Sequence, residues 1–219
     1  MAGALLLLLL AAHTGSVTQR LLSRVNQLAP GGIGATALQR AEVGSLVAEL
    51  EAQRSPFAAP ATQDAQVALS GLWRVLYADA PPPSNGRLGP FRGLAFQDID
   101  VGGGAYVNDL RLGDEAKPWL RALLRANWEA LDEVTWRVNF RTLTFDARFA
   151  GKELRLLERE FPEGTSRVWR FSYTGPDVRI VRAGQGGGKV SAIGQALGVR
   201  ESGRDDDCLF VLQRVPRVS

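Results

Sequence analysis

The sequence predicts a mainly β protein, an antiparallel β-barrel preceded by two or three N-terminal α-helices. Three observations predict it. Helical periodicity dominates before a proline-bearing stretch at Ser55 to Thr62. After it, about eight short apolar runs recur, many with period-two alternation. Those runs are joined mostly by short turns rich in Gly, Pro and Asn, which favours antiparallel neighbours in a barrel or meander.

Met1 to Ala12 holds six consecutive leucines, Leu5 to Leu10. The run has no Lys or Arg before it, and it falls short of the about 20 apolar residues a bilayer span needs. No Asp or Glu occurs before Glu42, while Arg20, Arg24 and Arg40 are present, a composition shared with organelle transit peptides. Three readings therefore stand side by side: a secretory apolar region, a transit-type leader and a buried helix. From Val17 to Leu28, Leu21, Leu22, Val25 and Leu28 recur at helical spacing until Pro30-Gly31-Gly32 ends the pattern. Thr36 to Gln53 reads as a second amphipathic helix with Thr36 as N-cap and Leu38, Ala41, Leu46 and Leu50 on its apolar side. Residues 1–54 thus form a helical segment and 55–69 a linker.

The barrel is expected over 70–215. Its strands are Ser70 to Tyr77, Phe91 to Val101, Ala105 to Leu112, Val134 to Phe149, Glu153 to Glu160, Ser166 to Tyr173, Asp177 to Arg182 and Cys208 to Arg214. Gly102-Gly103-Gly104 is a turn. The alternation of Val134 to Phe149 shifts near Arg141 to Leu143, which predicts a bulge or bend there. Arg167, Trp169, Phe171 and Tyr173 are expected on one face. Trp119, Leu120, Leu123, Leu124, Trp128 and Leu131 follow helical spacing, so a helical insertion is expected near 114–131. A Gly-rich loop is expected over 184–207, ending in Asp205-Asp206-Asp207.

Composition argues against several classes. A mean hydropathy of -0.07 does not fit a polytopic membrane protein. The 26 basic and 23 acidic residues are interspersed, and no basic stripe with interleaved aromatics stands out, so no nucleic-acid partner is expected. Cys208 is the one cysteine and His13 the one histidine, which leaves neither a disulfide nor a Cys/His or Ser/His/Asp constellation. Gly184 to Lys189 fails the phosphate-loop pattern at Ala183 and at Val190. Asp98 and Asp100 share a strand face and read as a solvated outer surface. No catalytic residue, metal site or cofactor is expected, and the chain is read as a non-enzyme.

The positive signal is Gly71-Leu72-Trp73 at the start of the all-β region. The glycine admits close backbone approach and the indole closes one end of a barrel, its N–H seeking an acceptor. An arginine from the last strands, Arg179, Arg182 or Arg214, is expected over the ring. Tyr77, Phe96, Trp136, Phe140, Trp169, Phe171, Tyr173, Arg179 and Arg182 join Trp73 as candidate ligand-binding residues at the barrel end and lining. Two readings of the interior are open: eight strands enclose room for side chains or for one small ligand.

Leu69-Ser-Gly71-Leu-Trp73-Arg-Val-Leu-Tyr77 resembles the opening block of the plastid lipid-associated proteins, the plant fibrillins or plastoglobulins. Tyr173, Asp177, Arg179, Ile180 and Arg182, followed by Cys208 to Arg214, resemble the closing blocks; Gly71, Trp73, Asp177, Arg179 and Arg182 carry the motif. Gly175, Ala183 and the Gly-rich insertion depart from that pattern. The resemblance implies a lipocalin-like barrel in the chloroplast, on thylakoids or plastoglobules. It implies lipid or isoprenoid partners (carotenoids, quinones, membrane lipids) and peripheral contact with a membrane or lipid droplet. Such contact would come from the Leu5 to Leu10 run or from the face around Trp119 and Trp128. The alternative it implies is a scaffold or regulator docked on a prenyl-lipid or plastoquinone biosynthetic enzyme. It also implies that Ala4 to Gly15 corresponds to the family's first helix, so that Met1 need not be the native start.

Overall fold

A computed structural model describes residues 16–53, 67–184 and 208–216. Ser16 and Thr36 each open a helix by the same device. The hydroxyl accepts from the backbone N–H three residues on, and the Gln at that position returns a bond to the cap's own N–H. The helices are α1 (Val17–Asn26) and α2 (Ala37–Glu51). They pair through Arg20–Glu49 at 2.6 Å and through Arg24–Glu42. Val17, Leu21 and Val25 of α1 and Val43, Val47 and Leu50 of α2 are buried. The apolar side of α2 is therefore rotated from the expected one: Leu38 is exposed, and β-branched Val43 and Val47 fill the contact instead. The segments 1–15, 54–66 and 185–207 lie outside the described residues, and with them the leucine run, His13, most of the linker and the Gly-rich loop.

Ten strands follow in one antiparallel sheet: β1 (Gly71–Ala78), β2 (Arg87–Leu88), β3 (Phe91–Asp100), β4 (Ala105–Gly113), β5 (Pro118–Ala130), β6 (Thr135–Phe149), β7 (Lys152–Glu160), β8 (Ser166–Thr174), β9 (Val178–Gly184) and β10 (Cys208–Arg214). The path β1-β10-β9-β8-β6-β5-β4-β3 returns to β1 through a β1–β3 pairing, so eight strands close a ring. The β1–β3 pairs run only from Gly71↔Ile99 to Arg74↔Phe96. Similarly, β6 pairs with β8 only from Thr135↔Arg170 to Asn139↔Ser166. Its remaining length pairs with β7, from Thr142↔Glu160 to Phe149↔Lys152. β7 and β8 thus follow β6 as successive lengths of one path, interrupted at Phe161 to Thr165. The ring is closed at the Trp73 end and parts at the other into two sheets, one of which is β3 to β7.

Two bulges explain how these sheets bend. Arg125 and Ala126 are consecutive on β5 but face Thr142 and Phe140 on β6, which leaves Arg141 as the extra residue. This is where the sequence predicts the shift. A second bulge between Phe171 and Tyr173 turns Tyr173 to the outside, so it does not share a face with Trp169 and Phe171.

The expected helical insertion near 114–131 is instead the strand β5, paired along both edges. It buries residues on both sides. Leu123 lies against Asp109 and Thr144 outside the ring, whereas Ala126 and Trp128 pack inside. Burial on alternate and non-alternate positions removes the period-two signature and imitates a helical stripe. Inside the ring, Trp73, Tyr106, Trp136, Trp169, Phe171 and Phe210 join aliphatic residues in one core. Outside it, α1 and α2 cover Leu76, Tyr77, Tyr173, Val178, Ile180, Leu209 and Val211.

Candidate functional site

Gly71 starts β1 at φ 122°, and a Cβ there would lie 3.2 Å from Arg214 Nη1. That conformation suits glycine and brings the backbone close to the arginine. Two residues on, Trp73 is fully buried and its Nε1–H donates to the Leu69 carbonyl at 2.9 Å. Two guanidinium carbons lie over its ring, Arg214 at 4.2 Å and Arg179 at 4.7 Å from the centroid. Arg214 also donates to the carbonyls of Pro176 (2.8 Å), Ser70 (2.9 Å) and Ala68. It thereby straps the ends of β1 and β10 across the ring's floor. Of the three candidates for the one arginine expected over the ring, two take that place and Arg182 lies elsewhere. It points outward and makes two 2.8 Å bonds to Glu51 of α2.

Arg179 is fully buried inside the ring, 5.5 Å from the Phe171 ring centre, and donates to Gln97 Oε1 at 2.5 Å. Burial pulls its guanidinium down to about 9, with Arg214's charge adding to the effect and Tyr106 opposing it. The group stays cationic at neutral pH, stabilised by ring faces and an amide oxygen in place of a carboxylate. Burial raises the Tyr106 phenol well above its ordinary value; its hydroxyl donates to Asn108 Oδ1 at 2.7 Å.

The ring contacts form two chains of aromatic side chains, Trp128–Trp136–Phe171 and Tyr106–Trp169–Phe210. Trp128 stacks on Trp136 at 3.9 Å, Trp136 meets the edge of Phe171 at 4.7 Å, and Trp169 stacks on Phe210 at 5.7 Å while touching Tyr106 at 5.4 Å. Among the described residues, the indole N–H groups of Trp128, Trp136 and Trp169 and the Nε and Nη1 of Arg179 have no hydrogen-bond partner. The interior of the closed end is therefore filled, apolar in bulk, and supplied with donors in excess of acceptors.

The structure brings Trp73, Trp136, Phe140, Trp169, Phe171 and Arg179 together inside the ring. It does not bring Phe96, Tyr77, Tyr173 or Arg182 there. Phe96 faces outward beneath Arg111, whose Cζ lies 4.3 Å from its centroid, because Gln97 takes the inward position opposite Trp73. Tyr77 and Tyr173 lie under the helices. Asp177 sits in the β8–β9 turn, where its carbonyl accepts from the Arg214 N–H at 2.9 Å. Trp128, read as part of an exposed face, is instead half-buried in one of the aromatic chains. The inward partners Gln97, Tyr106 and Phe210 escaped the sequence reading: a polar Gln signals an outer face, and the other two sit in runs buried on both sides.

At the parted end the inner face of the β3 to β7 sheet stays apolar. Register places Leu110, Leu112, Leu120, Ala122, Leu124, Leu143, Phe145 and Ala147 on that face, and β7 continues it with Leu154 and Leu157 between the basic Lys152 and Arg159 at its two ends. Its lip carries exposed large apolar side chains: Phe91, Trp119, Phe149, Leu154, Leu156 and Leu157. A separate cleft of about 230 Å³ lies outside the ring between α1 and β1, lined by Val25, Asn26, Leu28, Pro30, Arg74, Val75 and Leu76.

Among the described residues no helix is long and apolar enough to cross a membrane, and no group of three His, Cys, Asp or Glu side chains is placed to hold a metal ion. Comparison with protein-family models, with curated proteins and with solved structures gives no match.

Proposed function

We propose that the chain is a non-catalytic lipid-associated protein of the plastid, a lipocalin-like barrel that holds or organises carotenoids, quinones or membrane lipids at a thylakoid or plastoglobule surface. The observation that carries this reading is the parted end of the ring. An apolar sheet face continues outward from a filled aromatic floor to a lip of exposed Phe, Trp and Leu. Exposed apolar surface gathered in one place marks a site for an apolar partner. Because side chains fill the floor, the ligand's place in this reading is the open sheet face above it.

Purification of the full chain from a host that makes carotenoids and quinones, followed by solvent extraction and mass spectrometry, tests the proposal. The expected result is one class of apolar lipid in near-stoichiometric amount. A Leu124→Glu or Phe145→Glu variant, which places a carboxylate on the half-buried inner face, should retain at least about tenfold less lipid, since a charge is costly to desolvate. A folded chain that carries no lipid and takes up none from added quinone or carotenoid would sink the reading.

A further inference from the structure

We infer that the lip of the parted end docks on an anionic lipid surface, through aromatic side chains that enter the interface and basic side chains that meet the headgroups. The inference rests on the lipid-associated reading and specifies where and to which lipid charge the molecule binds. Phe91, Trp119, Phe149 and Leu154 stand on the same end of adjacent strands and are 50%, 44%, 75% and 51% exposed. The rings of Phe91 and Trp119 meet edge to face at 5.3 Å. Trp119 lies directly on Gly113, where φ is 92° and a Cβ would approach its Cδ1 to 2.6 Å. The backbone thus makes room for a large ring that remains nearly half exposed, which folding alone does not require.

Basic residues surround these rings. Arg87 and Arg92 are directly opposite each other in the β2–β3 ladder, and like charges so placed destabilise a hairpin. Lys117 stands two residues before Trp119, and Lys152 pairs with Phe149 across the β6–β7 turn. All four are exposed, and none has a carboxylate within ion-pair distance among the described residues. Of the nearby acids, Glu115 meets Arg74 at 3.4 Å and Glu153 meets Arg148 at 2.6 Å, while Asp114, which accepts from the N–H groups of Ala116 and Lys117, keeps its charge against these four cations. The lip therefore presents exposed aromatics beside a net excess of positive charge. That combination matches the interfacial zone of a membrane carrying negative headgroups, where rings sit at the boundary and Lys and Arg meet the anions.

Co-sedimentation of the full chain with phosphatidylcholine vesicles, and with vesicles also containing phosphatidylglycerol, tests the docking. Preference for the second, weakened by salt, is the expected result, with a blue shift of tryptophan emission that Trp119→Phe removes. K117Q/K152Q should lower the partition coefficient on anionic vesicles roughly thirtyfold, from the contribution of basic side chains near such a surface. Phe149→Ser should weaken binding to both vesicle types. These side chains are exposed, and far-UV circular dichroism should match the parent chain in every variant. Equal binding to both vesicles, or binding that survives K117Q/K152Q, overturns the inference, as does self-association through the lip with no vesicle binding. A chain that keeps co-purified lipid yet ignores vesicles overturns the docking while leaving the lipid-associated reading in place.

Discussion

The residues at the floor of the ring show how a buried charge is tolerated without an opposite charge. Arg179 has the Trp73 and Phe171 rings, the Gln97 oxygen and the Tyr106 phenol around it, and no ion pair with a carboxylate among the described residues. Trp73 and Arg179 were legible in the sequence, since a G-x-W and a late arginine form a recognisable pair. Gln97 and Tyr106 were not, because period-two patterning assigns a Gln outward and gives no sign that an arginine inside needs its oxygen. Tyr106 offers a test by pH. Burial raises its phenol above the ordinary 10.0, so its protonated state is favoured by folding. The corresponding stability is complete below about pH 10 and is lost as pH rises above it, because the unfolded chain releases the proton first. Tyr77, also raised chiefly by burial, adds to the same loss. Tyr106→Phe should cost about 1 kcal/mol at neutral pH by leaving Asn108 without its donor, and should flatten part of the alkaline decline. Urea midpoints measured at neutral pH and above pH 10 check both; an unchanged alkaline decline in the variant would remove Tyr106 from this role.

At the scale of elements, legibility follows whether one face or two are buried. β10 matches its expected limits, Cys208 to Arg214, and Thr36 is the N-cap that its hydroxyl and Gln39 predict. β5 was missed because Leu, Ala, Arg and Glu favour helices locally and because its two faces are both partly covered. Tertiary pairing along both edges overrides that preference. The same reasoning accounts for Tyr173: a bulge is invisible to strict alternation and reverses every side chain after it. The attachment of α2 to the ring was outside the reach of sequence, since Glu51 and Arg182 are 131 residues apart. Their two 2.8 Å bonds form a forked carboxylate–guanidinium pair that is partly exposed. Glu51→Gln should cost about 1 kcal/mol, the charge-assisted value reduced for solvent exposure. Burial raises the Glu51 carboxyl, but the bonds from Arg182 and Ser172 outweigh it and leave the pKa below 4.5. Its stabilising effect is therefore present above about pH 4.5 and lost as pH falls through the lowered value. Denaturant titrations at neutral and acid pH should show the wild-type chain losing this increment and the Gln variant having none to lose. Equal acid sensitivity in the two chains would assign the attachment to apolar packing alone.

For the whole molecule, closure of the ring depends on contacts remote in sequence: β1 is held between β3 and β10, and Arg214 binds the carbonyls that precede Gly71. Such non-local pairing makes the last strand a condition of the fold and predicts slow folding for the chain's size. Yet β10 meets β9 in continuous register from Cys208↔Ala183 to Gln213↔Val178, the geometry of an ordinary hairpin whose connection is merely long. The residues 185–207 therefore need not take part in closure. Replacing 184–207 by an Asn-Gly turn should leave the ring intact, because Ala183 and Cys208 are paired and that dipeptide suits a two-residue connection between antiparallel strands. Shortening the loop roughly tenfold should also raise stability by about 2 kcal/mol, since closing a shorter loop costs less chain entropy. Equilibrium urea unfolding of the two chains, followed by near-UV circular dichroism and tryptophan emission together, measures the difference. A single coincident transition at higher urea is the expected outcome. A lower midpoint would mean that 185–207 contributes contacts to the ring beyond joining β9 to β10, and a broadened or split transition would mean that closure itself depends on it.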